Sequence, residues 1–140
     1  MLYIGSPDIA RFRRPCRAPV VSAWLRDQTG RYPRRMAEHV IVATTTDSED
    51  KARELASSVI DAKLGACAQI VPITSVYRWE GKVETDPEWR VEIKTAADRV
   101  ADLTDHLKKI HTYDVPEIVA TPIEGGSAEY LSWVVDETRS

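Results

Sequence analysis

The stretch "ACAQIVPITSVYRWEGKVETDPEWRVEIKT" (residues 66–95) decides how this chain folds. At its centre "EGK" (80–82) sets a glycine in a turn between two β-rich runs, so the stretch reads as one long hairpin. The arm over 66–80 is expected to be interrupted near Pro72. The returning arm over 83–95 is expected to be irregular at Asp86-Pro87. Extended at about 3.3 Å per residue, the 69–80 arm reaches roughly 40 Å.

Working outward, "HVIVATT" (39–45) is a β-branched strand. Thr46 and Glu49 stand at capping-box spacing, and Ala52, Leu55, Ala56, Val59, Ile60 and Leu64 continue as a helix. Gly65 is placed to close that helix in a left-handed conformation. Downstream, Val100, Leu103, Leu107 and Ile110 mark a second amphipathic helix, and "PEIVATP" (116–122) a fourth strand. Ser127 caps a last helix carrying Tyr130, Leu131, Val134 and Val135. The order β-α-β-β-α-β-α defines an α+β fold. It is a split β-α-β antiparallel sheet of the ferredoxin-like kind, with a long central hairpin, two helices on one face and a C-terminal helix.

The helix at 48–64 covers about 25 Å, so the hairpin should overhang its cover by about 15 Å. The overhang is expected to carry Val76, Tyr77, Trp79, Val83 and Trp89. Aromatic residues on an uncovered, edge-bearing hairpin call for a partner, and a closed homo-oligomer supplies one most economically.

Charge divides the 140 residues unevenly. Residues 1–35 hold eight Arg and two Asp, a net of +6, and the remainder carries −9 of the total −3. The prolines and Arg clusters of 1–35 leave no periodic pattern, so the segment reads as a disordered Arg/Pro-rich arm before a domain over 36–140. An electrostatic tail, a targeting peptide and an upstream start artefact compete to explain it. Met36, directly before the first strand, favours the last. An acidic domain repels phosphate backbones, so no nucleic-acid partner is expected. No run is apolar enough to span a membrane. Two cysteines without a CxxC point to a reducing cytoplasm.

The blocks "GACAQIVPITSVYRWEGKVETDPEW", "EIKT" and "HTYDVPEIVATPIEGGSAEYLSWV" resemble the CutA family of divalent-cation tolerance proteins, in the family's spacing across 39–135. The resemblance implies a ferredoxin-like subunit, an interlocked homotrimer that is cytoplasmic in bacteria, and tolerance to copper and other divalent metals. It implies neither an enzymatic activity nor an obligatory cofactor; Cu²⁺ or another divalent cation is the candidate ligand. No nucleophile has readable His and acid partners, and no Gly-rich phosphate loop follows a strand, so an enzyme is not expected on the residues either.

Within "HTYDVPE" (111–117), His111, Asp114 and Glu117 form a candidate cation site. Pro116 holds Val115 extended, so the two acids need not share a face. His111 at a helix end also complements the helix dipole. Cys67 is a further candidate, set against its reading as a small buried hydrophobe. Trp79, Lys94, Tyr113 and Trp133 match the family's recurrent polar-aromatic positions and are read as lining a subunit cleft, with Tyr77 and Trp89 on the same interface. Some bacterial members pair a first-strand Cys with two adjacent His. Here those positions hold Thr44, Ile110 and His111, so any copper site should be weak. The alternative class is a PII-like trimeric module taking a small anionic ligand in its clefts through Lys94 and His111.

Overall fold

Alternation in β1 (His39–Thr46) turns Val40, Val42, Thr44 and Thr46 to one face, where all four are buried. The computed structural model describes residues 37–139, so the expectations for the arm at 1–35 lie outside the described residues. The remaining elements are α1 (Glu49–Asp61), β2 (Cys67–Trp79), β3 (Lys82–Ala96), α2 (Val100–Ile110), β4 (Ile118–Ile123) and α3 (Ala128–Asp136). A 3-10 turn at Ala97–Arg99 leads into α2. The strands form one antiparallel sheet in the order β2-β3-β1-β4, the ferredoxin-like α+β arrangement expected from the element order.

The core lies between one sheet face and two helices. Val42, Val91 and Ile93 meet Ala52, Leu55 and Val59 of α1 and Leu103 and Leu107 of α2. Leu103 and Leu107 have no solvent exposure. Each contributes about 1.5–3 kcal/mol by leaving water.

Three local readings are corrected. The N-cap of α1 is Ser48, whose hydroxyl accepts from the Lys51 N–H at 3.2 Å. Thr46 faces the core and is unavailable as a cap. The helix ends at Asp61, and the left-handed residue after it is Lys63, at φ 55°. Gly65 is needed for a different reason: a Cβ there would stand 2.4 Å from Ile93 Cγ2. The close approach of this loop to β3 therefore leaves no room for a side chain.

The hairpin runs without a break. Pairing is continuous from Cys67–Lys94 to Trp79–Lys82, through Pro72 and Pro87 alike. Glu80 and Gly81 form its two-residue turn at φ 48° and 79°, the positive values that a twisted hairpin demands. Pairing of β3 with β1 stops at Thr46–Trp89, so residues 73–79 and 82–88 project beyond the sheet body. That is about 23 Å of ribbon at 3.3 Å per residue, longer than the expected overhang. Trp89 is corrected accordingly. It sits at the root of the projection, opposite Pro72 and Thr46, and packs against its own subunit's core.

Candidate functional site

Strand parity sorts the sheet into two faces. Ala68, Ile70 and Trp89 face α1 and α2, so their neighbours Cys67, Gln69, Val71, Ile73, Tyr77 and Trp79 of β2 face the other way. On β3 that second face carries Glu84, Asp86, Glu88, Arg90, Glu92 and Lys94, and on β1 Ile41, Ala43 and Thr45. Part of it is covered by α3, which packs on β3 and β1 and brings Tyr130 beside Cys67. The rest of this face has no cover among the described residues. On it Trp79 is 62% exposed, and at the same hairpin tip Val76 and Val83, on the opposite face of the ribbon, are 66% and 65% exposed.

The loop after α2 reaches the root of the hairpin. His111 is the C-cap of α2, extended at φ −72°, ψ 144°. Its Nε2 lies 2.9 Å from the Thr45 carbonyl, and its Nδ1 accepts the Tyr113 backbone N–H at 3.0 Å. One nitrogen must donate and the other accept, so the ring is neutral with its hydrogen on Nε2. Burial holds its pKa below the ordinary histidine value, while the Thr45 carbonyl and the carboxylates of Asp47 and Glu88 oppose that shift. Pairing of β1 with β4 ends at Thr44–Ile118, so the ring takes the carbonyl one residue beyond the last strand pair.

Tyr113 stacks obliquely on this imidazole, with ring centres 5.0 Å apart, and donates its hydroxyl to Glu88 Oε2 at 2.9 Å. Burial first, and the Glu88 bond second, raise its pKa well above the usual phenol range. One register step along the same face, Tyr77 donates to Asp86 Oδ2 at 2.6 Å, and that bond lifts its phenol to about 12. Both phenols therefore stay protonated donors.

The other sequence candidates scatter. Asp114 and Glu117 are exposed on either side of Val115, itself 91% exposed. Lys94 bonds Gln69 across the strands. Cys67 is half-buried and is a free thiol beside Tyr130, and Trp133 stacks on Tyr130 at 5.6 Å. The structure thus joins His111 to Tyr113, and Cys67 to Tyr130 and Trp133, but builds no single cluster from the whole set. Among the described residues, no group of three or more His, Cys, Asp or Glu side chains is placed to hold a metal ion. Both His111 nitrogens are already engaged. The described residues therefore do not supply a closed cation shell.

Sequence reading missed Glu88, Asp86 and the Thr45 carbonyl. The carboxylates were findable: Glu84, Asp86 and Glu88 alternate along β3 and must share a face. The Thr45 contact joins residues 66 apart and leaves no local pattern.

A ferredoxin-like α+β subunit with an overlong hairpin and an open second face is the class that this geometry defines. Residues 40–137 match the family described as CutA1 divalent ion tolerance protein, and the chain belongs to that family. The rice "Protein CutA 1, chloroplastic" is 48% identical over 101 residues, covering 71% of this chain and 57% of the relative. The "Divalent-cation tolerance protein CutA" of Thermus thermophilus is 42% identical over 99 residues, covering 70% and 96%. The structure of the "Periplasmic divalent cation tolerance protein CutA" from Archaeoglobus fulgidus superposes with a TM-score of 0.71 at 36% identity, covering 72% and 99%. The chain thus spans a little over half the length of the plant and animal relatives it matches, and nearly all of the archaeal and Thermus ones. These names place one relative in a chloroplast and another in a periplasm. Among the described residues, no helix is long and apolar enough to cross a membrane.

Proposed function

We propose that this chain is a non-enzymatic divalent-cation tolerance protein that works as a homotrimer in the cytoplasm and holds Cu²⁺ or another divalent cation weakly. The observation that carries the assembly is the projecting hairpin. It is two strands wide, has no cover among the described residues, and ends in exposed Trp79, Val76 and Val83. An isolated two-stranded ribbon is marginal in water, so a neighbouring subunit is its natural support. The open part of the face beside α3, with Tyr77 and Lys94 of the sheet and Trp133 of α3, belongs to the same contact.

For the cation, His111 is the proposed nitrogen ligand, with Asp114, Glu117 or water completing the shell and Cys67 a remote second choice. Binding must displace one of the two hydrogen bonds on the ring, and this supports weak affinity over a dedicated site. The anionic-ligand alternative is less well supported, because His111 is held neutral and Lys94 is engaged with Gln69. Sedimentation of the purified protein, with elemental analysis of the same fractions, tests the reading. Stable monomers at micromolar concentration would overturn the assembly. Absence of any saturable copper uptake would overturn the cation role.

A further inference from the structure

A second concavity lies on the opposite side of the sheet from the open face. Its walls come from the end of β1 (Thr46), one face of α1 (Lys51, Glu54, Leu55, Ser58) and the exit of α2 (Ile110, Thr112). The four α1 residues recur at i, i+3, i+4 and i+7, so they form a single stripe. The cavity holds about 190 Å³. Clefts for drug-sized ligands run to roughly 300–1,000 Å³, so this one fits only a small molecule.

Its polar groups are incompletely used. The Thr46 hydroxyl is wholly buried and has no hydrogen-bond partner among the described residues. Lys51 spends one of its three ammonium hydrogens on Asp47 at 2.9 Å. Glu54 enters no side-chain hydrogen bond or ion pair with a described residue. Ser58 is held in place by His106 Nε2 at 2.8 Å. Between these groups, Leu55 and Ile110 supply aliphatic surface.

This set selects by charge. A simple cation placed here would meet the Lys51 ammonium, and a simple anion would meet the Glu54 carboxylate. Only a molecule carrying both signs satisfies both charges of the α1 stripe. We propose that the cavity binds a small zwitterion of the α-amino-acid class. Its carboxylate faces the Lys51 ammonium, its ammonium faces Glu54, and an aliphatic side chain lies on Leu55 and Ile110. The site is separate from the open face and does not rest on the cation reading.

L-leucine is the probe, titrated by calorimetry into the full chain with a chelator present, so that metal-bridged binding is removed. 3-Methylbutan-1-amine and 4-methylpentanoate, each lacking one charge, are the comparison ligands. Saturable L-leucine binding is expected, at least tenfold tighter than either analogue. Glu54→Gln and Lys51→Met should each weaken it at least tenfold, and Asp105→Asn, on the exposed side of α2, should leave it unchanged. Glu54 is exposed and Lys51 half-exposed, so both variants should fold, which circular dichroism checks. No saturable binding at millimolar L-leucine, equal affinity for the analogues, or binding unmoved by Glu54→Gln would each overturn the proposal.

Discussion

His111 Nε2 lies 2.9 Å from the carbonyl of Thr45, 66 positions earlier, and so ties the exit of α2 to the end of β1. With Nδ1 accepting from Tyr113, the contact requires a neutral ring. Protonation would put a hydrogen on Nδ1, against the Tyr113 N–H. Because the folded pKa is below the unfolded value of about 6.5, the unfolded chain takes up the proton first as pH falls. The stabilisation is complete above that pH and is lost as pH drops towards the folded pKa. Urea unfolding between pH 7.5 and 5 should show falling stability, with a smaller slope in His111→Gln. An equal slope in both proteins would assign the loss to other groups.

Removing the ring should also expose its worth at neutral pH. His111→Ala leaves the Thr45 carbonyl and the Tyr113 N–H without their partner, and should cost about 1–3 kcal/mol. The same variant bears on the cation. Calorimetry should find Cu²⁺ bound more tightly than Zn²⁺ by the wild type, more weakly at lower pH, and markedly less by the variant. Unchanged copper binding would remove His111 from the site.

Thr44 is completely buried, and its hydroxyl has no partner among Val91, Ile118 and their neighbours. Thr44→Val keeps the shape and deletes the orphan. It should raise stability by about 1 kcal/mol, a few degrees in Tm. A lower Tm would show that the hydroxyl is satisfied in solution.

Gly65→Ala should do the opposite. The new methyl would meet Ile93 Cγ2 at 2.4 Å and Val59 Cγ1 at 3.0 Å, both in the core. Overpacking of this kind costs about 1–3 kcal/mol, readable by thermal denaturation. A neutral result would mean that the loop shifts freely.

Trp79→Glu separates folding from assembly. Trp79 is 62% exposed in the subunit, so its replacement should leave secondary structure intact by circular dichroism. If a neighbouring subunit covers it, about 2–3 kcal/mol is lost per contact and sedimentation should show dissociation. An unaltered assembly would place Trp79 outside the interface.

The hairpin was legible because both of its arms are β-rich and "EGK" marks the turn; the misreadings came from prolines. Pro72 lies on β2, an edge strand, and Pro87 lies where β3 has β2 on one side only. In both places the strand has a side with no neighbour, so a missing N–H need not break a ladder. Local sequence cannot reveal which strand is an edge. The same blindness hid the cap: Thr46 and Ser48 look equivalent until parity sends Thr46 into the core. At the candidate site, the residue types of 111–117 were readable, but their partners Thr45 and Glu88 arrive from other strands. Asp114 and Glu117 were grouped with His111 by proximity in the chain, whereas the carboxylates that act on its charge are Asp47 and Glu88.

The two-residue turn at Glu80-Gly81 also orders events in time. From it, the hairpin can zip outward pair by pair, from Trp79–Lys82 to Cys67–Lys94, with little loop entropy lost at each step. The β1–β4 ladder joins His39 to Ile123, nearly the whole described chain, and must wait for everything between. The ribbon therefore forms early and stands bare while its own sheet is still incomplete. If the proposed neighbour captures the ribbon, refolding should depend on protein concentration in two ways: dilution slows that capture, and high concentration diverts the bare ribbon into aggregates.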